Sequence, residues 1–384
     1  MRPLEGLRVL SVEVWGAGPY GSQLLGALGA EVVKIENPAT GGDPARSVGP
    51  HFLGAGDSQY FQAWNTSKRS IALDLKAESG RSQFAELVKT ADAVINNLRG
   101  DQPAKLGLDY ATLGKLNPAI VCAHISAYGR DNERTTWPGY DFLMQAEAGL
   151  MSLTGEPDGP PARFGPSIID FMTGTTAMVG LLACLWNAQR TGTGCDVDIS
   201  LFDVALHQLN YSATWYLNTG RAPTRLERSS HFSVAPVQTF PTADGWVFIM
   251  CMSDKFCREQ LELRELASDP RFASGNTRHE HRRELTAALD PAFRRRTTAE
   301  WLAQLSGVLP IGPVYDVAQA LGSQFVAASG MIQTVPHRGN EDLRVLASPI
   351  KVNGERATLK AAPALGEGND ELLGGKRAEK AQRR

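Results

Sequence analysis

An aspartate stands directly before a long apolar stretch near the middle of the chain. Asp170 precedes residues 171–186, which are mostly apolar and carry small residues at three-residue spacing. This pattern is typical of a closely packed helix, and we predict that Asp170 is its N-cap. The helix dipole and the unpaired N–H groups at that end favour a charged carboxylate, so we expect Asp170 to be ionised at neutral pH. Asp170 could be a cap alone or a nucleophile held in place, and its local sequence favours the cap.

Asp141 is a second acid that could act together with Asp170. A carboxylate nucleophile has to be ionised, fixed in place and shielded from bulk water, because the anhydride or thioester that it forms hydrolyses readily. The head of an apolar helix meets these needs for Asp170. Asp141, which follows Gly139 and Tyr140, could orient the nucleophile or could be an unrelated turn residue. The spacing leaves both interpretations open.

Glycines after the first predicted strand form another candidate site. Gly16, Gly18 and Gly21 fit the pattern G-x-G-x-x-G between a strand and a helix, and Glu36 ends the next strand. In dinucleotide-binding proteins such glycines let the backbone approach a phosphate, and the acid binds the ribose. The same glycines could instead form a tight turn alone. An NAD-dependent oxidoreductase therefore stays open at this point.

Other common catalytic motifs are absent from the sequence. It contains no G-x-S-x-G, no H-E-x-x-H and no G-x-x-x-x-G-K-[ST]. The five cysteines and seven histidines lack metal-binding spacing. We therefore expect neither a metal site nor a disulfide framework.

The elements around these residues predict an α/β fold. Strand patterns alternate with helical patterns, which indicates a mostly parallel sheet covered on both faces. After this part we expect a second unit that contains a β-hairpin and charged helices. The predicted sheet strands are residues 7–14, 30–36, 70–75, 93–97, 119–126 and 195–201, the early helices are 22–28, 80–90 and 205–217, and the hairpin is formed by 234–240 and 246–250.

Length and composition fit an ordinary globular protein of two domains. The chain has 384 residues, of which 42% are apolar and 21% charged, with a net charge of −2. One core rarely grows to this length. The balanced charge gives no overall attraction to nucleic acid or to an anionic membrane, so neither is an expected partner.

The sequence favours a cytoplasmic protein. Its first residues contain no apolar segment of signal-peptide length, and its cysteines are few and scattered. Residues 171–186 are shorter than the roughly 20 apolar residues of a membrane span. We therefore predict that this segment is a buried helix.

Short motifs recur in a fixed order along the chain. They lie at residues 4–10, 17–19, 28–36, 65–74, 139–141, 170, 191–194, 312–314, 348–350 and 363–367. In this order the chain resembles, over nearly its whole length, the family III CoA-transferases, the group of formyl-CoA transferase and carnitine CoA-transferase. Many short motifs in one order are far more specific than a single glycine pattern.

The resemblance implies that Asp170 is a nucleophile. It would attack a donor acyl-CoA, form an aspartyl mixed anhydride and then an aspartyl-CoA thioester, and pass CoA to an acceptor acid. No cofactor is implied beyond the CoA thioester substrate, and the glycine pattern would face CoA instead of NAD. Tyr140 and Asp141 would support Asp170. The residues implied to line the CoA channel are Gly16, Ala17, Leu73, Asp74, Leu75, Lys76, Asn97, Leu98, Arg99 and Lys105.

The resemblance also implies the architecture. A Rossmann-like large domain would contain residues 1–222 and be completed by 326–384, and residues 223–325 would form a smaller α+β domain. The polar tail from residue 374 is expected to be frayed. Two chains would form an interlocked, ring-like homodimer, each passing through a hole in the other.

Departures from the family pattern bear on substrate handling. A basic residue often follows the second strand and holds a CoA phosphate, but here the position is Asn37, so Arg46 or another cation could replace it. Trp15 and Gly16 stand where some members have glutamine or histidine. Residues 252–254 show no counterpart of the glycine-rich flap of formyl-CoA transferase.

The residue type at position 140 distinguishes a CoA-transferase from a racemase. The α-methylacyl-CoA racemases of the same fold family have a histidine at its position, and a tyrosine is a poor proton shuttle at neutral pH. We therefore favour a CoA-transferase for small carboxylic acids, with short dicarboxylates such as succinate, mesaconate, itaconate or malate as the expected substrates. Transfer between two carboxylates of one acid, a racemase and the oxidoreductase stay as alternatives. Residues that could receive a second carboxylate, or form a charged linker as we favour, are Arg225, Arg228, Ser229, Ser230 and His231.

Overall fold

The computed structural model describes residues 1–252, 266 and 268–374. Its strands, in chain order, are β1 (Arg8–Val12), β2 (Glu31–Glu36), β3 (Phe52–Gly54), β4 (Asp57–Ser58), β5 (Arg69–Ala72), β6 (Ala93–Asn96), β7 (Val121–Ser126), β8 (Cys195–Ser200), β9 (Val237–Pro241), β10 (Trp246–Met250), β11 (Ile311–Pro313), β12 (Ile332–His337), β13 (Asn340–Leu346), β14 (Lys351–Val352) and β15 (Glu355–Arg356). Its α-helices are α1 (Ala17–Ala27), α2 (Gln59–Asn65), α3 (Glu78–Val88), α4 (Gln102–Lys105), α5 (Tyr110–Leu113), α6 (Asp141–Glu147), α7 (Ile168–Thr191), α8 (Leu201–Gln208), α9 (Asn210–Thr219), α10 (Gly275–Glu280), α11 (Arg282–Phe293), α12 (Thr298–Leu305), α13 (Val317–Leu321), α14 (Gln324–Ser329) and α15 (Asn369–Leu373).

A six-stranded parallel sheet forms the centre of the larger unit. Its order is β5-β2-β1-β6-β7-β8, so β1 lies in the middle and pairs with β2 and β6. This is the strand order of a doubly wound Rossmann-like sheet, in which the chain reverses direction across the sheet next to the first strand. The predicted α/β class with a parallel sheet is confirmed.

Burial explains why these segments are strands. Every residue of β6 and β7 is buried, as expected for strands of a parallel sheet that is covered on both faces. Phe84, Leu87 and Val88 of α3 pack into one apolar cluster with strand residues that include Leu10 and Val94. Helix α1 packs against β2 and β6, and α7 packs against β7 and β8.

The chain divides into two compact units. The larger contains Met1–Ala148, Gly165–Leu209 and Gln324–Arg384, and the smaller contains Gly149–Phe164 and Asn210–Ser323. In the smaller unit β9, β10 and β11 form an antiparallel sheet, and its core contains the stacked rings of Phe240 and Phe293, whose centroids are 4.7 Å apart. The hairpin of β9 and β10 is present as predicted. The structure assigns residues 149–164 and 210–222 to this unit, whereas the sequence prediction kept them in the large domain.

Two helix boundaries differ from the prediction. Helix α1 begins at Ala17, so Gly18 and Gly21 lie inside the helix and do not form a turn before it. Pro19 is compatible with this start because the first turn of a helix does not use its N–H groups. The helix predicted over 205–217 is two helices, because α8 ends at Gln208 and Asn210, the first residue of α9, has a non-helical φ of 43°.

Helix α7 is longer than its apolar stretch. It has 24 residues and, by length and composition only, could cross a membrane. The predicted helix is present, but it is only partly buried, since Val179 and Trp186 are exposed. In the structure α7 packs against α1, α8, β7 and β8.

Helices α1 and α7 meet at glycines. A Cβ atom placed on Gly21 would lie 2.6 Å from the carbonyl oxygen of Gly174, and one placed on Gly174 would lie 2.4 Å from the carbonyl oxygen of Ala17. Both distances are shorter than the closest approach of a carbon and an oxygen atom that are not bonded to each other. The two helix backbones can therefore approach this closely because neither position carries a side chain.

Gly21→Ala should destabilise the fold, because its methyl group would overlap the backbone of α7. We expect the free energy of unfolding to fall by about 1–3 kcal/mol, the usual cost of overpacking. Gly26→Ala is a matched control in the same helix, since its nearest neighbouring atom would be 3.7 Å away. The control should stabilise the fold by about 0.5–1 kcal/mol, because alanine is the better helix former. Denaturant titration measures both variants, and equal effects would contradict this account of Gly21.

Candidate active site

A cavity of about 240 Å³ opens at the carboxyl ends of the central strands. Open parallel sheets bind ligands at this edge, where the strand order reverses. The cavity is lined by the loops that follow β1, β6 and β7 and by the first turn of α7. Its lining residues include Val14, Trp15, Gly16, Ala17, Asn97, Leu98, Arg99, Ser126, Trp137, Gly139, Tyr140 and Asp170.

Asp170 lies in the first turn of α7 but is not its cap. The helix begins at Ile168, and Ser167 is the N-cap residue, so the predicted cap position is wrong. The Asp170 carboxylate faces the start of α1: a Cβ atom on Gly16 would be 2.5 Å from Asp170 Oδ2. Glycine at position 16 therefore makes room for this carboxylate.

Asp141 supplies the cap from another helix. Its Oδ2 accepts hydrogen bonds from the backbone N–H groups of Ile169, at 2.5 Å, and Asp170, at 3.0 Å. Its Oδ1 accepts one from Gln145 Nε2, at 2.5 Å. A buried carboxylate with these partners satisfies N–H groups that a helix start leaves unpaired. The structure thus brings the two predicted acids together, with Asp141 fixing the backbone that carries Asp170.

The surroundings of Asp170 favour its neutral form. Burial and the negative charge of Asp141 raise the pKa of Asp170 to about 7. Asp170 is therefore only partly ionised at neutral pH, and the helix N–H groups that were expected to stabilise its charge bond to Asp141 instead. A carboxylate in this state is a stronger base than an ordinary aspartate.

Tyr60, which the sequence analysis did not single out, lies outside the cavity lining. The pKa of its hydroxyl is raised by burial and by the charges of Asp170 and Asp43, so it lies in the same electrostatic environment as the carboxylate. Its ring is 5.6 Å from that of Trp64, which is 5.2 Å from the ring of Phe171. No motif in its sequence context connects this position with Asp170.

The predicted CoA-channel residues fall into two groups. Gly16, Ala17, Asn97, Leu98 and Arg99 line the cavity together with Asp170 and Tyr140, whose side chain is 62% exposed. The others do not line it. Leu73 and Leu75 are buried in the cluster beside α3, Asp74 accepts a hydrogen bond from the backbone N–H of Lys76, and Lys105 lies on α4.

Asn97 has a structural contact that its sequence context does not show. Its Nδ2 donates to the carbonyl oxygen of Val14, at 2.5 Å, and its Oδ1 accepts from the N–H of the same residue, at 2.8 Å. The amide thus continues the pairing between β1 and β6 one step past the strands. The loop that faces Asp170 is held from this side.

Arg46 does not replace the missing cation at Asn37. Its guanidinium donates to both carboxylate oxygens of Glu36, at 2.8 and 2.7 Å, and lies 3.7 Å from the ring centroid of Phe61. Both charged side chains are 1% exposed. The prediction for Arg46 is therefore wrong, and Glu36 is equally unavailable as a ribose-binding acid.

Arg99 and Lys105 are cations on the exposed side of this edge. Both bind the carboxylate of Asp101, at 3.0 and 2.6 Å, and these hydrogen bonds, that of Lys105 foremost, lower the pKa of Asp101 to about 2. Two cations share one carboxylate, so this group of three side chains, of which Arg99 lines the cavity, has a net positive charge.

The basic segment of the small unit makes internal contacts. The Arg228 guanidinium binds both carboxylate oxygens of Asp290, at 2.5 and 2.6 Å, and Arg225 donates to the carbonyl oxygens of Gly159 and Pro160. Ser229 ends a short 3-10 helix, Ser230 donates to the carbonyl oxygen of Glu227, and His231 Nδ1 accepts the N–H of Ser233. Of the flap position, residues 253 and 254 lie outside the described residues.

Comparisons with known proteins agree on one family. The chain matches the sequence model of CoA-transferase family III over residues 4–369. It is 32% identical to the succinate–glutarate CoA-transferase of Agrobacterium fabrum, over 97% of this chain and 95% of the relative. It is 35% identical to the acetyl-CoA:oxalate CoA-transferase of Acetobacter aceti, over 92% and 90%. The crystal structure of a CAIB/BAIF family protein from Brucella suis superposes with a TM-score of 0.85 and 34% identity, covering 97% of this chain and 98% of that one.

Asp170→Asn should stabilise the fold at high pH. The pKa of Asp170 is raised from 3.8 to about 7, so the folded protein holds an unfavourable charge above pH 7 and loses it as the pH falls towards 4. We expect a gain of about 2 kcal/mol in the free energy of unfolding at pH 8 and a smaller gain at pH 5.

Asp203→Asn is the matched control for this experiment. Asp203 occupies the third position of α8, as Asp170 does in α7, but it is exposed. Its substitution should change stability by less than about 0.5 kcal/mol at either pH. Urea titrations at both pH values measure the effect, and a pH-independent gain for Asp170→Asn would contradict the raised pKa.

Proposed function

This chain belongs to CoA-transferase family III, and from that premise we propose that Asp170 is the nucleophile of the transfer. The chain is an enzyme that moves CoA between carboxylic acids. The observation that carries the proposal is the Asp170 carboxylate itself, which faces a cavity at the carboxyl edge of the sheet, against Gly16 and beside Asp141. Its raised pKa makes it a more basic, and hence more nucleophilic, carboxylate than an exposed one.

The first half of the reaction loads Asp170. Its carboxylate oxygen attacks the thioester carbonyl of the donor acyl-CoA, the carbon–sulfur bond breaks, and CoA leaves as a thiolate. This gives a mixed anhydride between Asp170 and the donor acid. The thiolate then attacks the Asp170 carbonyl carbon, which breaks the anhydride bond, releases the donor acid and leaves an aspartyl-CoA thioester.

The second half repeats these steps in reverse order with the acceptor. The acceptor carboxylate attacks the aspartyl thioester and displaces the thiolate, which gives a new mixed anhydride. The thiolate attacks the acceptor carbonyl, forms the product acyl-CoA and returns the Asp170 carboxylate. Each step exchanges one acyl bond for another, so the donor acyl-CoA and the acceptor acid are the only reactants that the steps require and no redox change occurs.

Several contacts support this course. The absence of a side chain at Gly16 leaves room for the Asp170 carboxylate and for the acyl group that would become attached to it. Asp141 fixes the backbone at Ile169 and Asp170 through two hydrogen bonds. The excess positive charge of Arg99 and Lys105 near the cavity suits the phosphates of CoA. We propose that Gly16, Ala17 and Arg99 contact CoA, and that Tyr140, which lines the same cavity, contacts the acyl group.

Short dicarboxylic acids are the proposed substrates. One relative described above is named for succinate and glutarate and the other for acetyl-CoA and oxalate, so both names include a short dicarboxylate. A cavity of about 240 Å³ is compatible with acids of this size. Transfer between the two carboxylates of one acid would use the same steps, and a substrate panel distinguishes it from transfer between two acids.

The alternatives have less support. Tyr140 stands where a racemase needs a histidine to move the proton. For an NAD-dependent oxidoreductase the glycine pattern would have to face a phosphate, but Gly21 contacts Gly174 inside the α1–α7 contact and Glu36 is bound to Arg46. Both features have structural partners, so neither indicates a dinucleotide site.

A homodimer is proposed for the assembly. Helix α7 exposes apolar side chains on one face, among them Val179 and Trp186, which are 66% and 65% exposed. Apolar surface of this kind is typical of protein interfaces. Sedimentation equilibrium tests the proposal, and a mass of 41.5 kDa at micromolar concentration would contradict it.

Asp170→Ala should abolish transfer and leave the fold intact. The test is a panel of acyl-CoA donors and acids, read by mass spectrometry, in which we expect the native chain to exchange CoA among short dicarboxylates. The variant should lose at least about 1,000-fold in kcat, because the covalent route needs the carboxylate. The Asp203→Asn control should keep its activity.

Trapping identifies the intermediate in the same experiment. With acyl-CoA and hydroxylamine, the native chain should acquire a hydroxamate at Asp170, and the Asp170→Ala variant should not. Full activity of that variant would refute the nucleophile, and rapid deuterium exchange at Cα of a 2-methylacyl-CoA would restore the racemase.

Asp141→Asn should move the acid limb of the pH profile to lower pH. Asp170 has to be ionised to attack, so kcat/KM should fall as the pH drops through about 7. The variant removes the negative charge that helps to raise the pKa of Asp170, while its amide oxygen can still accept hydrogen bonds. We expect a downward shift of roughly 0.5–1 pH unit. An unchanged limb would show that the charge of Asp141 does not act on Asp170.

A further inference from the structure

In the loop that faces Asp170, Trp15 adopts a backbone conformation that is unfavourable for a tryptophan. Trp15 has a φ of 63°. This left-handed region is unfavourable for a residue with a Cβ atom and easily adopted by glycine. Strained residues of this kind persist where their surroundings fix them, and they cluster at functional sites.

Three consecutive residues of this loop each form a backbone hydrogen bond with a different side chain. Lys34 Nζ donates to the carbonyl oxygen of Glu13, at 2.7 Å, and Asn97 binds both backbone groups of Val14. The N–H of Trp15 donates to Asp43 Oδ1, at 3.1 Å. The loop has left β1 at this point, so these side chains replace the strand pairing that its backbone groups have lost.

Asp43 is itself rigidly placed. Its carboxylate forms an ion pair with Lys34 Nζ, at 2.9 Å, and both side chains are fully buried. Its backbone N–H donates to Glu36 Oε2, at 3.0 Å, and its Oδ1 also accepts the N–H of Ala45, at 3.0 Å. Because its carboxylate binds Lys34 and Ala45 and its backbone binds Glu36, Asp43 has little freedom to follow Trp15 if that residue relaxes.

The next residue is Gly16, which abuts the nucleophile. Because a Cβ atom at Gly16 would lie 2.5 Å from Asp170 Oδ2, a small rotation of the Trp15 backbone would change the space around the carboxylate. We propose that Asp43 is a positioning residue for CoA transfer. It accepts a hydrogen bond from the N–H of Trp15, which holds that residue at positive φ and keeps Gly16 in place against Asp170. This rests on the proposed role of Asp170 as nucleophile.

A pair of substitutions at position 15 tests the proposal. Trp15→Ala and Trp15→Gly both remove the indole, but only glycine adopts positive φ readily. Asp43→Ala is introduced into the native chain and into each of these two backgrounds, and kcat and the KM for acyl-CoA are measured for all six proteins.

We expect Asp43→Ala to lower kcat by at least about 10-fold in the native and Trp15→Ala backgrounds, and by less than about 3-fold in the Trp15→Gly background. The KM for acyl-CoA should stay within about 3-fold, because Asp43 does not line the cavity. Equal losses of kcat in the alanine and glycine backgrounds would overturn the proposal.

Two further measurements keep the result decisive. If Asp43→Ala fails to fold, the two Trp15 variants are compared with Asp43 intact; kcat should then be at least about 3-fold higher for glycine than for alanine, and the reverse order would overturn the proposal. Asp170→Ala is assayed in parallel. An active Asp170→Ala variant refutes the nucleophile, whereas an inactive one with equal losses at position 15 refutes Asp43 alone.

Discussion

The close approach of α1 and α7 determines where the reacting groups lie. The two helices touch backbone to backbone at Gly21 and Gly174, so any side chain there would push them apart. With that contact fixed, the start of α1 brings Gly16 against the first turn of α7, which carries Asp170. The glycine pattern that resembles a dinucleotide motif is thus explained by helix packing and by room for a carboxylate, and a phosphate is not needed to account for it.

Buried charges support the same edge of the sheet. The pairs Glu13–Lys68, Lys34–Asp43 and Glu36–Arg46 all have side chains that are at most 1% exposed, and burial lowers the pKa of Lys68 to about 8. Buried ion pairs add little net stability, because desolvation offsets their attraction. Their value here is geometric: Lys34 and Asp43 bind backbone groups of the loop after β1, and Glu36 binds a backbone N–H of the loop after β2.

The sequence predicted correctly those elements that a local pattern of residues determines. Runs of apolar residues identified the strands of the parallel sheet, and the acid before an apolar helix drew attention to Asp170. The cap was predicted wrongly because it comes from Asp141, 28 residues before Ile169, and no local rule connects the two. Arg46 was predicted as a free cation for the same reason, since its pairing with Glu36 depends on how the chain turns after β2.

The division of roles between Asp141 and Asp170 is consistent with the proposed reactivity of Asp170. A carboxylate that caps its own helix has its charge stabilised by N–H groups, which lowers its pKa and its nucleophilicity. Because Asp141 accepts those hydrogen bonds, the Asp170 carboxylate keeps its oxygens free of the helix, and in the part of the chain that the structure describes no donor binds them. Its charge is then opposed by burial and by Asp141. Ionised Asp170 is therefore destabilised in the free protein, and in the proposed mechanism bond formation to an acyl carbon removes that charge.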